Sequence, residues 1–202
     1  MISKRIGWPL IKAGIWGLLV LLFTQPVSAK PFIIEERKYY SFTASSRQEI
    51  WQQIQANSPR GVVEKAGEHL VSVAVTETRL SGRYQYQASL TRCKLLSYEP
   101  HLKIIIHMPH WENSWQASQQ LVDNWNNYVR MVSNHEDIHR QYAIKMVEEF
   151  DRRLGELAHF KRCNELKEAI EQIRQEVIGT YRAQNAWFDA KERVYQKNLR
   201  WF

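Results

Sequence analysis

An α+β fold follows from one change of period along the chain. Between residues 68 and 107, apolar and polar side chains alternate, as they do in strands with one face on a core. From Ser114 onward the apolar positions recur every three or four residues, the spacing of one helix face. After a turn at residues 160–164, a second stripe of helical period runs through Leu166, Ile170, Ile173, Val177 and Tyr181. The predicted architecture is an N-terminal antiparallel β-sheet with a short helix, then a long helix bearing His-Glu-x-x-His, then an antiparallel C-terminal helix.

The chain starts with a leader-like segment. Lys4, Arg5 and Lys12 precede an apolar run over residues 13–23, and Val27-Ser28-Ala29 offers the small residues a signal peptidase reads. The run is short for a membrane span. Residues 1–29 are expected to be a cleaved signal peptide, with residues 30–202 as a single domain. Residues 30–42 carry Phe32, Ile33, Ile34, Tyr39, Tyr40 and Phe42 and read as one or two strands. Ser46 and Glu49 have capping-box spacing and start a helix with Ile50, Trp51 and Ile54 on its apolar side. Asn57-Ser58-Pro59-Arg60-Gly61 ends it.

In the sheet region, Val71, Val73 and Val75 alternate with polar or small residues, and Ser81-Gly82 reads as a bend. Ile104-Ile105-Ile106 is a short buried strand by its β-branched composition. Short turns between successive strands favour a meander. Met108-Pro109-His110-Trp111 is expected to link sheet to helix. The long helical stripe then takes in Trp115, Val122, Trp125, Val129, Val132, Tyr142, Met146, Phe150 and Leu154, with no Pro or Gly from Ser114 to Leu154.

Composition excludes some classes. Hydrophobic content is 44% and charged content 24%, which suits a globular chain with a real core. Without the leader the net charge falls from +7 to 25 − 21 = +4, since the leader holds three of the 28 basic residues and none of the 21 acidic ones. No basic cluster is interleaved with aromatics, so no nucleic-acid partner is expected. No stable membrane span should remain once the leader is removed. Two cysteines in an exported chain suggest one disulfide, Cys93 to Cys163. The expected location is periplasmic or secreted.

The chemistry concentrates at His135-Glu136-Asp137-Ile138-His139. On a helix, residues four apart leave the same face one turn apart, so both imidazoles can reach one Zn²⁺ ion. Glu136 then lies beside the metal as a general base. Both histidines fall on the apolar stripe between Val132 and Tyr142, so the site should face inward. A catalytic zinc takes three protein ligands and keeps one open position. In an antiparallel hairpin turning near residue 161 or 162, the level of the histidines lies opposite residues 184–188. Asp189 is the nearest acidic residue there and Glu192 the second choice. His110, His159, Glu148 and Glu149 are further candidates. Tyr142, Tyr181 and Tyr195 are candidate oxyanion donors, and Trp111, Trp115 and Trp187 serve either the core or a substrate groove.

Several of these features together resemble a family. Tyr39-Tyr40, the helix at Glu49, Pro59, the strands to Cys93, Met108-Pro109-His110-Trp111, Trp125, Tyr128, the His-Glu-x-x-His and Cys163 are similar to the bacterial predicted secreted zinc-dependent proteases, catalogued as DUF922. The likeness covers nearly all of residues 30–202. It departs at Ile138, where the family often has Gly, and at Glu192 and Val194, where it often has Thr and His. Phe188-Asp189 keeps the family's aromatic-Asp pair, so the resemblance also points to Asp189 as a zinc ligand. It implies an exported metalloprotease that hydrolyses protein or peptide substrates with zinc-activated water. The alternative is a catalytically inactive envelope relative that binds a peptide or protein.

Overall fold

The computed structural model describes residues 27–28, 30–60, 62–65 and 68–197. The leader expected over residues 1–29 lies outside these, apart from Val27–Ser28. Ten elements follow in order. They are β1 (Val27–Ser28), β2 (Phe32–Phe42), α1 (Arg47–Asn57), β3 (Val62–Lys65), β4 (Glu68–Val71), β5 (Val75–Ala88), β6 (Cys93–Trp111), a 3₁₀ turn (Ser114–Gln116), α2 (Gln119–Gly155) and α3 (Cys163–Lys197). Sheet first and helices after is the α+β order that the change of period predicts.

Strand β6 is the axis of the sheet. β5 runs antiparallel to it, from Val75 opposite His107 to Ala88 opposite Cys93. β2 lies on its other side and runs parallel, from Phe32 opposite His101 to Phe42 opposite Trp111. β1 continues that side opposite Ser97 and Tyr98. The sheet is therefore mixed, with the antiparallel pairing confined to the β5–β6 hairpin. Parallel pairing of β2 needs a long crossover, and α1, β3, β4 and β5 together supply it. β3 and β4 form a separate two-stranded antiparallel sheet.

Two breaks expected from the sequence are absent, for steric and pairing reasons. Ser81-Gly82 does not bend the chain, and β5 passes straight through it. Gly82 makes room instead, because a Cβ there would stand 2.6 Å from the hydroxyl of Tyr84. Pro109 lies inside β6 and does not end it. β5 pairs no further along β6 than His107, so among the described residues no strand pairs with that edge beyond it, and a missing N–H costs little. Pro100 likewise falls between the stretches of β6 paired with β1 and β2.

One face of β6 carries the core. Tyr98, Leu102, Ile104, Ile106 and Met108 are all buried against α2 and α3. α2 starts at Ser118, whose hydroxyl accepts from the Leu121 N–H, so the helix begins five residues later than Ser114. α3 returns antiparallel to α2, because Arg153 meets Glu176 near one end and His139 meets Asp189 towards the other. Cys93 and Cys163 form a disulfide that ties the start of β6 to the start of α3 across 70 residues. α1 is capped by Ser46 and packs Ile50 and Ile54 with Phe42, Trp111, Trp125 and Tyr128 in a second cluster. Among the described residues no helix is long and apolar enough to cross a membrane.

Candidate metal centre

The second half of α2 fixes how the site must lie. Ala143, Met146, Val147, Phe150 and Leu154 are buried by the packing of α2 on β6 and α3. One and two turns earlier, the same stripe presents His139 and Glu136, which are 9% and 5% exposed. Among the described residues these are two of three buried polar or charged side chains, and a buried polar group must find a partner.

Three atoms from two helices converge. His135 Nε2 and His139 Nε2 are 3.0 Å apart. Asp189 Oδ1, reaching across from α3, is 3.3 Å from the first and 3.0 Å from the second. His135, Glu136 and His139 offer ligand atoms within 4.8 Å of one another and could hold a metal ion. Protons serve the converging atoms poorly, since His139 Nε2 cannot donate to Asp189 and accept from His135 at once. A single cation satisfies the three lone pairs together. Around a tetrahedral zinc with bonds near 2.0–2.2 Å, neighbouring ligand atoms stand about 3.3 Å apart. The observed separations of 3.0, 3.0 and 3.3 Å are close to that.

The surroundings orient each group. His139 Nδ1 is hydrogen-bonded to Asn185 Oδ1, while Asn185 Nδ2 donates to the Tyr181 carbonyl at 2.6 Å. That second bond leaves the Asn185 oxygen facing the ring, so His139 carries its proton on Nδ1 and turns the Nε2 lone pair inward. Phe188 stacks on His135, with centroids 4.8 Å apart and planes at 28°. Among the described residues, His135 Nδ1 is buried with no hydrogen-bond partner. Thr76 on β5 donates its hydroxyl proton to Glu136 Oε2 at 2.6 Å, which fixes that carboxylate against the strand.

Charge follows the same geometry. Burial pushes the Asp189 carboxyl up, but hydrogen bonds from both histidines and their charges outweigh it and hold it far below the usual carboxylate range. Burial alone would depress the His139 imidazolium. Hydrogen bonds to Asp189 and Asn185, with the charges of Asp189 and Glu136, bring it above its ordinary value.

The sequence candidates separate cleanly. His135, Glu136, His139 and Asp189 come together. Among the described residues, neither Glu192 nor His110 bonds to either histidine. His110 is exposed and lies edge-on to Tyr39 at 6.1 Å. Glu149 is tied to Arg152 at 2.7 and 2.8 Å on the outer face of α2. Glu148 and His159 are exposed. Asp137 and Arg140, the charges within and just after the motif, turn away from the centre. Arg140 donates to Glu35 on β2 at 2.5 and 2.9 Å, and Asp137 accepts from Gln141 at 2.9 Å. Tyr142 packs edge-on to Phe188 at 6.2 Å, and Tyr181 is half-buried beside Thr78 and Asn185. The side chain of Tyr195 lies outside the described residues. Trp111 is core, whereas Trp115 and Trp187 are 77% and 61% exposed.

Two residues of the site were missed in the sequence. Asn185 stands four residues before Asp189, on the same face of α3, and that spacing is its one sequence signal. Thr76 had none, because only the register of β5 brings it to Glu136.

Fold and centre together define an α+β domain with a metal-capable His-Glu-x-x-His cluster between two antiparallel helices. The chain belongs to the bacterial proteins of unknown function DUF922, whose family model matches residues 37–196. No curated protein and no solved structure matches it.

Proposed function

We propose that this protein is an exported zinc-dependent peptidase, with zinc held by His135, His139 and Asp189. The observation that carries this is the convergence of those three atoms next to a carboxylate, Glu136, that is itself held by Thr76. Zinc bound there would polarise a scissile carbonyl and lower the pKa of a bound water to near neutrality. Glu136 takes the proton of the attacking water and delivers it to the leaving amine. Asn185 keeps the His139 lone pair aimed inward, and the pairing of Glu136 with Thr76 fixes the direction in which the carboxylate accepts. The Cys93–Cys163 disulfide suits the oxidising compartment that an exported protein meets.

The test combines metal analysis with turnover. Protein purified without a His tag should carry close to one equivalent of zinc and cleave an unfolded protein such as casein. Glu136→Gln should keep the zinc and lose turnover by at least a hundredfold. Zinc content under about a tenth of an equivalent, with no gain on adding Zn²⁺, would sink the metal assignment. Full zinc with no turnover would leave a peptide- or protein-binding relative.

A further inference from the structure

A groove leads away from the metal centre along β5. That strand pairs with β6 on one side, and among the described residues no strand pairs with its other edge. Two cavities of about 240 and 270 Å³ lie between this edge and α3. One is lined by Thr78, Arg79 and Leu80, the other by Leu80, Ser81 and Gly82. Successive strand side chains point to opposite faces. A cavity that touches three in a row therefore meets the backbone edge of the strand. Leu80 and Arg174 line both cavities, so the two lie end to end along the strand as one interrupted groove. Its near end is Thr78, two residues from the Thr76 that holds Glu136. Its far end is Tyr86, about 26 Å further along an extended strand.

The opposite wall is charged. α3 contributes Lys167, Glu171, Arg174 and Arg182, a net charge of 3 − 1 = +2. Glu171 is consumed by a two-point pair with Arg174, at 2.6 and 2.7 Å. Lys167 lies over the Tyr86 ring at 5.7 Å, and Arg182 has no acidic partner among the described residues. An unpaired strand edge demands a ladder of amide donors and acceptors. The cationic wall opposite demands carboxylates.

We propose that this groove binds an extended acidic peptide segment as an added strand on β5, with its carboxylates against Lys167 and Arg182. That the bound segment is also the substrate rests on the peptidase assignment above. The binding itself does not need the metal. A strand added from Tyr86 to Thr78 points a polypeptide towards Thr76 and Glu136, so the groove would select unfolded or extended chains over compact ones.

Fluorescence anisotropy tests this on the full chain kept free of metal by chelator. The probes are labelled (Glu-Val)₅, (Lys-Val)₅, and (Glu-Val)₅ with alternate amides N-methylated. The first should bind at least tenfold tighter than either of the others. Lys167→Glu with Arg182→Glu should weaken it at least tenfold, with an unchanged circular-dichroism melt. Equal binding of the N-methylated peptide overturns strand addition, and equal binding of (Lys-Val)₅ overturns the acidic preference. A dimer that the double variant dissociates would assign the groove to a second copy and overturn the proposal. Binding without cleavage when zinc is restored removes the peptidase assignment and leaves the groove. Cleavage with no groove preference does the reverse.

Discussion

The two halves of α2 share one stripe and do opposite things with it. From Ala143 to Leu154 the stripe is apolar, fully enclosed by β6 and α3, and closed off by a disulfide at the same end of the molecule. From His135 to His139 it carries two imidazoles and a carboxylate, with Glu136 and His139 buried and His135 partly buried. The first half gains free energy by leaving water. The second gives that up to hold polar groups whose partners are other polar groups. One helix can do this because its rigid second half sets the position of its first. The candidate metal centre is thus built on an element that the core already holds straight.

The largest expected contrast is in stability. Phe150 is among the largest fully buried side chains. Phe150→Ala should cost about 3–5 kcal/mol by the loss of contacts and the cavity left behind. His139→Ala should cost less in urea melts yet remove zinc binding. A larger loss from His139→Ala than from Phe150→Ala would mean that the site, not the core, holds α2 in place. Next is the disulfide. Opening a 70-residue link should cost about 2–5 kcal/mol by letting the unfolded chain expand. Because Cys93 and Cys163 sit at the core end, Cys93→Ser with Cys163→Ser should lower the urea midpoint and leave zinc affinity within about twofold at temperatures where the protein stays folded. A tenfold loss of affinity would show that the two ends are coupled.

Asn185 sharpens the contrast without touching the core. Asn185→Ala frees the His139 ring to rotate and to exchange tautomers. Zinc affinity measured by competition with a chelator should fall about 10- to 100-fold. Asn185→Asp keeps an acceptor for Nδ1–H and should recover most of that. Loss of the same size in both variants would reduce Asn185 to packing.

What the sequence revealed divides along the same line. Helical rise ranked Asp189 ahead of Glu192 as the acidic residue nearest the level of the histidines, because two long helices joined by a short turn leave little freedom in register. Asn185 escaped notice because a neutral side chain carries no signal until its partner ring is located. The parallel run of β2 beside β6 was hidden too, since alternation says which face a strand buries and nothing about which strand is its neighbour. Gly82 and Pro109 misled for a related reason. Both are turn formers by intrinsic preference, and here a tyrosine ring and a free strand edge give them other uses. The partner of Arg140 was equally out of reach of the sequence, since only the placing of β2 puts Glu35 beside it.

The smallest effect expected is a dependence on pH, and its sign separates the two halves once more. In the metal-free protein His139 has a pKa above 6.5, so its share of stability is complete below 6.5 and is lost as pH rises through the raised value. Asp189 has a pKa below 3.8, so its share is complete above 3.8 and is lost as pH falls through the lowered value. The metal-free centre therefore contributes most between 3.8 and 6.5. Zinc needs the lone pair that the His139 proton occupies. Below the raised pKa, each pH unit should weaken zinc about tenfold per proton displaced, or about 1.4 kcal/mol. The rise in melting temperature on adding zinc should accordingly be small at pH 5.5 and grow towards pH 8, while Phe150→Ala lowers the melting temperature by a similar amount throughout. A zinc shift that stayed constant over that range would mean that no proton leaves His139 on binding, and the assignment of its Nε2 as a ligand atom would fall.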